Sequence, residues 1–271
     1  MCERVTAVEH GGDHAEGEHT SRWPLVTAVG AAALYVGAGL ALVGLDLVPV
    51  VLPAILVAVG ALGFVGGLAG WMAEAFLADY WTEREGREDI YTGGMVLFLV
   101  SDVATFLAGF VYYAFIRVGT WPPTDLPPLL GSLVVVNTLI LVASSLTLHY
   151  GHGALEDGNR RGFLAGLGVT TLLGVVFLGG QALEYYEFVV HENFTLAGGV
   201  FATAFYGLTG LHGLHVTLGV VLLGITLARA LRGQYGPDRD TSIRTVSLYW
   251  HFVDVVWVLL VVVLYVGAVV G

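Results

Sequence analysis

Lysine is absent from this sequence, and every one of its 11 basic residues is an arginine. Only 12% of the residues are charged and the net charge is -11, so no basic patch is available to bind nucleic acid. Cysteine occurs once, as Cys2, which excludes a disulfide framework and a thiolate metal site. The chain also lacks a phosphate-binding glycine loop, a nucleophile elbow and an HExxH motif. These absences argue against the common classes of soluble enzyme.

Apolar residues are what the chain has in excess. Hydrophobic side chains make up 56% of it and its mean hydropathy is +0.79, values that are not typical of a water-soluble domain. The 38 glycines fit closely packed transmembrane helices, because small residues let helix backbones approach where lipid removes the hydrophobic drive. We therefore predict an all-α, polytopic membrane protein.

Seven apolar stretches are long enough for transmembrane helices, since about 20 helical residues cross about 30 Å of hydrocarbon. They are predicted at 23–44, 48–77, 91–117, 129–150, 162–189, 197–231 and 242–270. Residues 1–22 are polar and are expected to form a disordered cytoplasmic tail. The rest of the chain divides into 23–77, with transmembrane helices 1 and 2, and 91–271, with helices 3 to 7.

The arginines predict how the chain crosses the membrane. Arg117 alone falls in a loop on one side, while the others fall in the tail or in loops on the opposite side. Cytoplasmic loops carry such an excess of basic residues. We therefore expect a multi-pass protein of the cell membrane, with a cytoplasmic N-terminus and an external C-terminus.

Two predicted spans carry ionisable side chains near the middle of the membrane. Helix 6 contains His212 and His215, and helix 7 contains His251 and Asp254; a spacing of three places each pair on one helix face. Such groups are costly at that depth and normally face other helices. Histidines also ligate metals and haem, but a matching set of further ligands is missing from the sequence. We therefore predict no metal site, and interpret these residues as a polar clasp between helices 6 and 7.

Asp102 and Glu184 are two further carboxyl groups in predicted spans. An isolated carboxyl group in lipid tends to stay neutral, so we expect Asp102 to be protonated and bonded to Ser101 or to a lipid headgroup; a proton relay is the alternative. Glu184 lies near the outer end of helix 5, where a side chain can reach toward water. It is expected to be an interhelical polar anchor, with a substrate gate as the alternative.

Five short motifs follow one another along the chain in the order of a known family. They are GMVLFLVSD at 94–102, NTLILVASS at 137–145, GQALEYYE at 180–187, TGLHGLHV at 209–216 and YWHFVDVVW at 249–257. In these motifs the chain resembles subunit III of the haem-copper respiratory oxidases, the cytochrome c oxidase subunit III family. The resemblance runs from residue 85 to the C-terminus, while helices 1 and 2 match only in position and length.

The resemblance implies a subunit with no cofactor of its own, because the family's haem and copper are held by the catalytic subunit. It implies a two-helix and a five-helix bundle around a lipid-filled cleft, with oxidase subunits I and II and phospholipids as partners. Asp102 falls on the family's helix 3 carboxylate, normally Glu, and Arg229 on a basic residue that contacts a lipid phosphate, so both are expected to bind lipid. Glu184, His215 and His251 fall on motif positions that are expected to be structural.

The expected function is that of an accessory subunit of a terminal oxidase that reduces oxygen and pumps protons. Its implied roles are to stabilise the catalytic subunit, to bind phospholipid and to support proton uptake or oxygen access. A quinol oxidase subunit is the alternative within the family. A proton-coupled transporter and a b-type haem carrier are alternatives outside it, although the transporter is disfavoured because the sequence has no internal repeat and no pair of broken helices.

Overall fold

The computed structural model describes residues 21–43, 49, 51–77, 88–119, 121 and 126–270. Within these ranges the chain forms no named strand, and its helices are α1 Trp23–Val43, α2 Val51–Leu77, α3 Glu88–Arg117, α4 Ser132–Glu156, α5 Arg160–Val190, α6 Val200–Leu231 and α7 Thr241–Leu260. A π-helical segment, Val261–Val266, follows α7 directly and leads into a short helix, α8, Gly267–Val270. In the described part of the chain, 7 helices are long and apolar enough to cross a membrane, counting α7 with its continuation. The predicted all-α membrane fold is confirmed, while the predicted tail lies outside the described residues.

The fourth helix differs most from its predicted bounds of 129–150, because it runs from Ser132 to Glu156. Gly151 does not end the helix; it packs against α5, where a Cβ atom added to it would lie 3.3 Å from the Cα of Gly166. The chain turns only at Gly158, whose φ of 70° is favourable for glycine and rare for other residues. A glycine is thus a weak signal for the end of a membrane helix, because glycine is also favoured where two helices pack closely.

By contacts between Cα atoms the chain divides into two compact units, residues 1–86 and 87–271. The described part of the first unit contains α1 and α2. The second contains α3 to α7, the π-helical segment and α8. Within each unit, a different kind of contact holds the helices together.

In the first unit, glycines bring two helix backbones into direct contact. A Cβ atom added to Gly37 of α1 would lie 2.8 Å from the Cβ of Leu56 on α2. One added to Gly67 of α2 would lie 2.6 Å from the backbone nitrogen of Thr27 on α1. Real Cβ atoms do not approach so closely, so a larger residue at either position would push the helices apart.

In the second unit, aromatic side chains fill the interior. The largest fully buried side chains include Trp250, Trp257, Tyr249, Tyr265, Phe177, Phe201 and Phe205. The rings of Trp257 and Phe177 meet edge to face, with centroids 4.9 Å apart. Trp250 lies between two glycines, because Cβ atoms added to Gly174 and Gly219 would lie 2.7 Å and 2.8 Å from its ring. Glycines therefore make room for a tryptophan here as well as for a backbone.

Candidate functional site

The first polar site joins α3 to α6. Nε2 of His215 lies 3.4 Å from Oδ2 of Asp102, and Nδ1 of His215 lies 2.8 Å from the carbonyl oxygen of Leu211. A carbonyl oxygen only accepts hydrogen bonds, so Nδ1 carries a proton, and a neutral His215 has none left on Nε2. His215 and Asp102 therefore attract each other only if the two side chains share one proton more than a neutral imidazole and a carboxylate. That proton makes them either an imidazolium with a carboxylate or a neutral imidazole with a carboxylic acid.

The third helix of this site is α7. The Tyr249 hydroxyl donates to the backbone carbonyl of His215 at 3.0 Å, and the two rings stack with centroids 6.5 Å apart. The ring of Phe106 lies 5.1 Å from the His215 ring on the α3 side. The imidazole is therefore fixed by three helices, with Asp102 at its free edge.

The predicted bond between Asp102 and Ser101 is wrong. The Ser101 hydroxyl donates to the carbonyl of Phe98, in its own helix, at 2.6 Å. A hydroxyl in a helix readily bonds a carbonyl of the preceding turn, and so the proton of Ser101 is not available to Asp102. The other predicted partner of Asp102, a lipid headgroup, stays a prediction.

The second polar site joins α4 to α7. The Ser145 hydroxyl donates to Oδ2 of Asp254, and Nδ1 of His251 lies 3.0 Å from the same hydroxyl oxygen. Because the hydroxyl gives its proton to Asp254, its oxygen accepts from His251. A chain of hydrogen bonds therefore runs from imidazole through serine to carboxylate.

His212 stands apart from both sites. It is 1% exposed, its ring stacks on Trp257 at 5.3 Å, and the edge of Phe177 lies 6.1 Å away. Within the described part of the chain, neither of its ring nitrogens has a hydrogen-bond partner. This histidine is enclosed by aromatic rings.

His212 and His215 contact α7 through the rings of Trp257 and Tyr249, in keeping with the predicted clasp between helices 6 and 7, but among the described residues the polar partners of His215, His251 and Asp254 lie on other helices. His215 faces α3, His251 and Asp254 face α4, and His212 lies among aromatic rings. Residues three apart in a helix point about 60° away from each other. In a bundle where each helix has several neighbours, that angle directs His212 and His215 to different partners, while His251 and Asp254 still share Ser145.

Glu184 on α5 is 3% exposed. Contrary to the prediction, its side chain does not reach toward water. Its Oε2 accepts hydrogen bonds from Nε2 of Gln181 at 2.8 Å and from the hydroxyl of Tyr265 at 3.0 Å. Tyr265 belongs to the π-helical segment after α7. The carboxyl group is turned inward because these two donors lie inside the unit.

Arg229 lies in the last turn of α6, where a cation is favoured by the helix dipole. Its Nε donates to the side-chain oxygen of Gln234 at 2.8 Å, and its guanidinium lies over the ring of Tyr235, 5.2 Å from the centroid. Burial raises the pKa of Tyr235, although the charge of Arg229 acts in the opposite direction. The guanidinium keeps further N–H donors for another acceptor.

Sequence reasoning missed a polar cluster at the beginning of α7. Nε2 of His152 lies 3.1 Å from Oδ2 of Asp240, and Nε of Arg244 donates to the same oxygen at 2.7 Å. Burial by itself raises the pKa of Asp240, but the hydrogen bonds and charges of His152 and Arg244 lower it overall. His152, Glu156 and Asp240 offer atoms within 4.8 Å of one another that could hold a metal ion. Arg244 already neutralises Asp240, and the absence of a metal site stays a prediction.

Hydroxyl groups on α4 were also missed. The indole nitrogens of Trp250 and Trp257 donate to Ser144 at 2.9 Å and to Thr138 at 3.0 Å. A buried indole N–H normally finds an acceptor, so a partner could have been expected. Its identity depends on how α4 and α7 are rotated, which the sequence does not reveal.

Comparison with known proteins places this arrangement in context. Residues 18–269 match the family model described as cytochrome c oxidase subunit III. The chain is similar to cytochrome c oxidase subunit 3 of Synechocystis sp., with 39% identity over 185 residues, 67% of this chain and 78% of the relative. The corresponding protein of Schizophyllum commune is 35% identical over 214 residues, 74% of this chain and 77% of the relative. That of Scyliorhinus canicula is 40% identical over 180 residues, 64% of this chain and 67% of the relative.

Proposed function

Because the chain belongs to the cytochrome c oxidase subunit III family, we propose that it is the accessory subunit III of a haem-copper terminal oxidase that reduces oxygen and pumps protons. The observation that carries this proposal is the family match over residues 18–269, which takes in helices of both units. Its partners in this proposal are the catalytic subunit I, which would hold haem and copper, and subunit II. The chain itself contributes a scaffold that stabilises subunit I.

Purification of the tagged full chain from its own membrane tests the proposal. We expect it to bring down a partner with the optical spectrum of a haem-copper oxidase. A chain that purifies alone and carries its own Soret band would instead be a haem carrier, and one that purifies alone without any chromophore would be consistent with a transporter. Either result would overturn the proposal.

Lipid binding at Asp102 is the first finer part of the proposal. The Asp102 side chain is 14% exposed, and neighbouring side chains on α3, including Val100 and Val103, are 61% and 52% exposed. Exposed apolar side chains on a membrane helix face lipid or another subunit. The pair of Asp102 and His215 therefore lies beside a surface that lipid can reach.

The D102A variant tests this role in the assembled complex. We expect an unchanged optical spectrum, altered bound phospholipid, and faster loss of activity during turnover. The S101A variant is the control, because the Ser101 hydroxyl bonds only within its own helix. Equal lipid content and equal turnover lifetime in D102A and wild type would refute a lipid-binding role.

Lipid binding at Arg229 is the second finer part. A guanidinium can bind a phosphate through two parallel hydrogen bonds, and Gln234 occupies only Nε of Arg229. The R229Q variant is expected to lose bound phospholipid, measured as phosphorus per complex. The control is R161Q, because the exposed Arg161 lies outside α6. This variant should retain the bound phospholipid. Equal losses in both variants would contradict a specific site.

Proton uptake, oxygen access and orientation complete the proposal. We propose that the chain supports proton uptake or oxygen access by the catalytic subunit and lies in the cell membrane with its N-terminus in the cytoplasm. The orientation is supported by the arginines, of which Arg117 alone falls on the external side. A protease site inserted at Gly158 should be cut in inside-out vesicles and protected in intact cells. The reverse result would invert the orientation.

A further inference from the structure

The carboxyl group of Glu184 and the amide of Gln181 are joined by one hydrogen bond, and each has an oxygen that lacks a hydrogen-bond donor. Nε2 of Gln181 donates to Oε2 of Glu184 at 2.8 Å, and Tyr265 donates to the same oxygen at 3.0 Å. The other oxygen of each side chain, Oε1 of Glu184 and Oε1 of Gln181, is buried and has no partner within the described part of the chain. Two acceptors without a donor therefore belong to two side chains that already touch.

Among the residues that the structure describes, the surroundings of Glu184 also offer no positive charge. None of the ion pairs among the described residues involves it. The titratable groups that act on it are Glu187 of α5 and Tyr265 of the π-helical segment, and Glu184 in turn acts on Tyr185 of α5 and Tyr206 of α6; none of the four is a cation. An ionised Glu184 would be a buried anion without a counter-ion, with a second carboxylate on the same helix, and burial of such a charge is very costly.

We propose that Glu184 is a proton-binding site, in which Oε1 carries the proton and donates it to Oε1 of Gln181. The acid and the amide then form a ring with two hydrogen bonds, one in each direction. Oε2 is the carbonyl oxygen of the acid and accepts from Gln181 and Tyr265. A single proton turns Oε1 of Glu184 into a donor and gives Oε1 of Gln181 the hydrogen bond that it lacks. Both oxygens then have a partner.

The π-helical segment gives the proton a structural consequence. Tyr265 lies in this segment, Val261–Val266, and is 0% exposed. A π-helical turn contains an extra residue, changes the direction of the side chains that follow it, and is frequent at functional sites. Through Tyr265, the protonated carboxyl group fixes the end of the last transmembrane helix to α5. The inference does not depend on the oxidase role, since it rests on the contacts within this chain.

Infrared difference spectroscopy of the full chain in its native complex tests the protonation state. Wild type minus E184Q, at neutral pH, should contain the carbonyl stretching band of a protonated carboxylic acid, and this band should shift to lower frequency in D₂O. Wild type minus E187Q is the matched control and should lack the band, because Glu187 is exposed in the last turn of the same helix, where it can reach water. If wild type minus E184Q contains only carboxylate bands, Glu184 is ionised and the proposal is wrong; a water molecule bridging the two oxygens of an ionised Glu184 would give this result.

Thermal unfolding supplies a second readout that distinguishes the acid from the anion. The E184Q side chain has a donor and an acceptor in the same plane, so it should reproduce the ring and keep the wild-type melting temperature. E184L and Q181L should each lower it, because they leave the remaining polar groups without partners. A melting temperature of E184Q well below that of wild type would show that the charged form is required, and would overturn the proposal even if the leucine variants fail to assemble.

Discussion

The two units of this chain differ in what holds their helices together. In the first, α1 and α2 meet through backbone contacts at Gly37 and Gly67, and side chains contribute little burial. In the second, buried aromatic rings and hydrogen bonds between helices, such as that from Trp250 to Ser144, join α4 to α7. In lipid the hydrophobic effect does not hold helices together, and two other kinds of contact can do so: close approach of the backbones, or specific side-chain partners.

The two kinds of contact have different sensitivities. A backbone contact involves no titratable group, so only a larger side chain disturbs it. A polar contact depends on the identity and the protonation of both partners, as at Ser145 with His251 and Asp254. The second unit should therefore respond to changes of polarity and pH, and the first mainly to changes of side-chain size.

The largest effect is expected from W257A in the second unit. Trp257 is 0% exposed, packs against Phe177 and His212, and donates to Thr138. Loss of such a side chain should lower the free energy of unfolding by about 3–5 kcal/mol, measured by titration with a denaturing detergent. W257F is the control and should lose about 1 kcal/mol, since it keeps a ring and loses mainly the hydrogen bond. Equal losses in the two variants would mean that ring packing contributes little.

The next largest effect is expected from G37L in the first unit. A leucine there would collide with Leu56 and Val57 of α2, whose atoms lie 2.8 Å from the added Cβ position. Overpacking of this kind costs about 1–3 kcal/mol. Nothing lies within 4 Å of a Cβ added to Gly39 of the same helix. G39L should therefore stay within about 0.5 kcal/mol of wild type, and a cost equal to that of G37L would refute glycine-mediated packing.

A smaller effect is expected from S145A, which removes the hydroxyl between α4 and α7. Hydrogen bonds between membrane helices contribute about 0.6 kcal/mol on average and at most about 1.7 kcal/mol. We expect a loss in this range, because His251 and Asp254 both lose a partner. S101A removes a hydroxyl that bonds only within α3 and should have no measurable effect. Equal stability of S145A and S101A would show that the second polar site adds nothing to the unit.

The smallest effect is a pH dependence that arises at Asp240. The folded chain lowers the pKa of this carboxyl group, so its contribution is complete above the ordinary pKa of about 3.9 and is lost as the pH falls through the lowered value. The free energy of unfolding should therefore begin to decrease below about pH 5. D240N should show a shallower decrease. An unchanged slope in D240N would assign the acid sensitivity to other groups.

Seven membrane helices could be predicted from the sequence because length and hydropathy alone decide whether a segment can span the bilayer. Ionisable residues such as His215 and Glu184 stand out in apolar runs for the same reason, and so they could be selected in advance. Their partners could not. The rotation of each helix decides that Asp102 meets His215 and that Glu184 turns inward to Tyr265.

Small and polar residues carried the information that sequence reasoning could not use. Ser145 and Thr138 look like many other hydroxyl residues of a membrane helix, and only the packed structure distinguishes them. Gly151 could have been a helix end or a packing contact, and the structure shows the second. Asp240 lies in a polar loop segment, yet it is 3% exposed, because His152 and Arg244 surround it.

The backbone contact between α1 and α2 also bears on how the protein is made. These helices are neighbours in sequence, so they can pair as soon as both have entered the membrane, while the ribosome is still translating the rest. In the second unit α4 and α5 can pair in the same way through Gly151 and Gly166, but the unit closes only when Trp250, Trp257 and Tyr265 reach these helices from its last segment. A nascent chain stalled after Gly233 should therefore protect α1 with α2 and α4 with α5 from proteolysis but leave α3 and α6 susceptible, and protection of all six helices would refute this order. Biogenesis would then proceed in two stages, early hairpins followed by a bundle that closes only when translation is nearly finished.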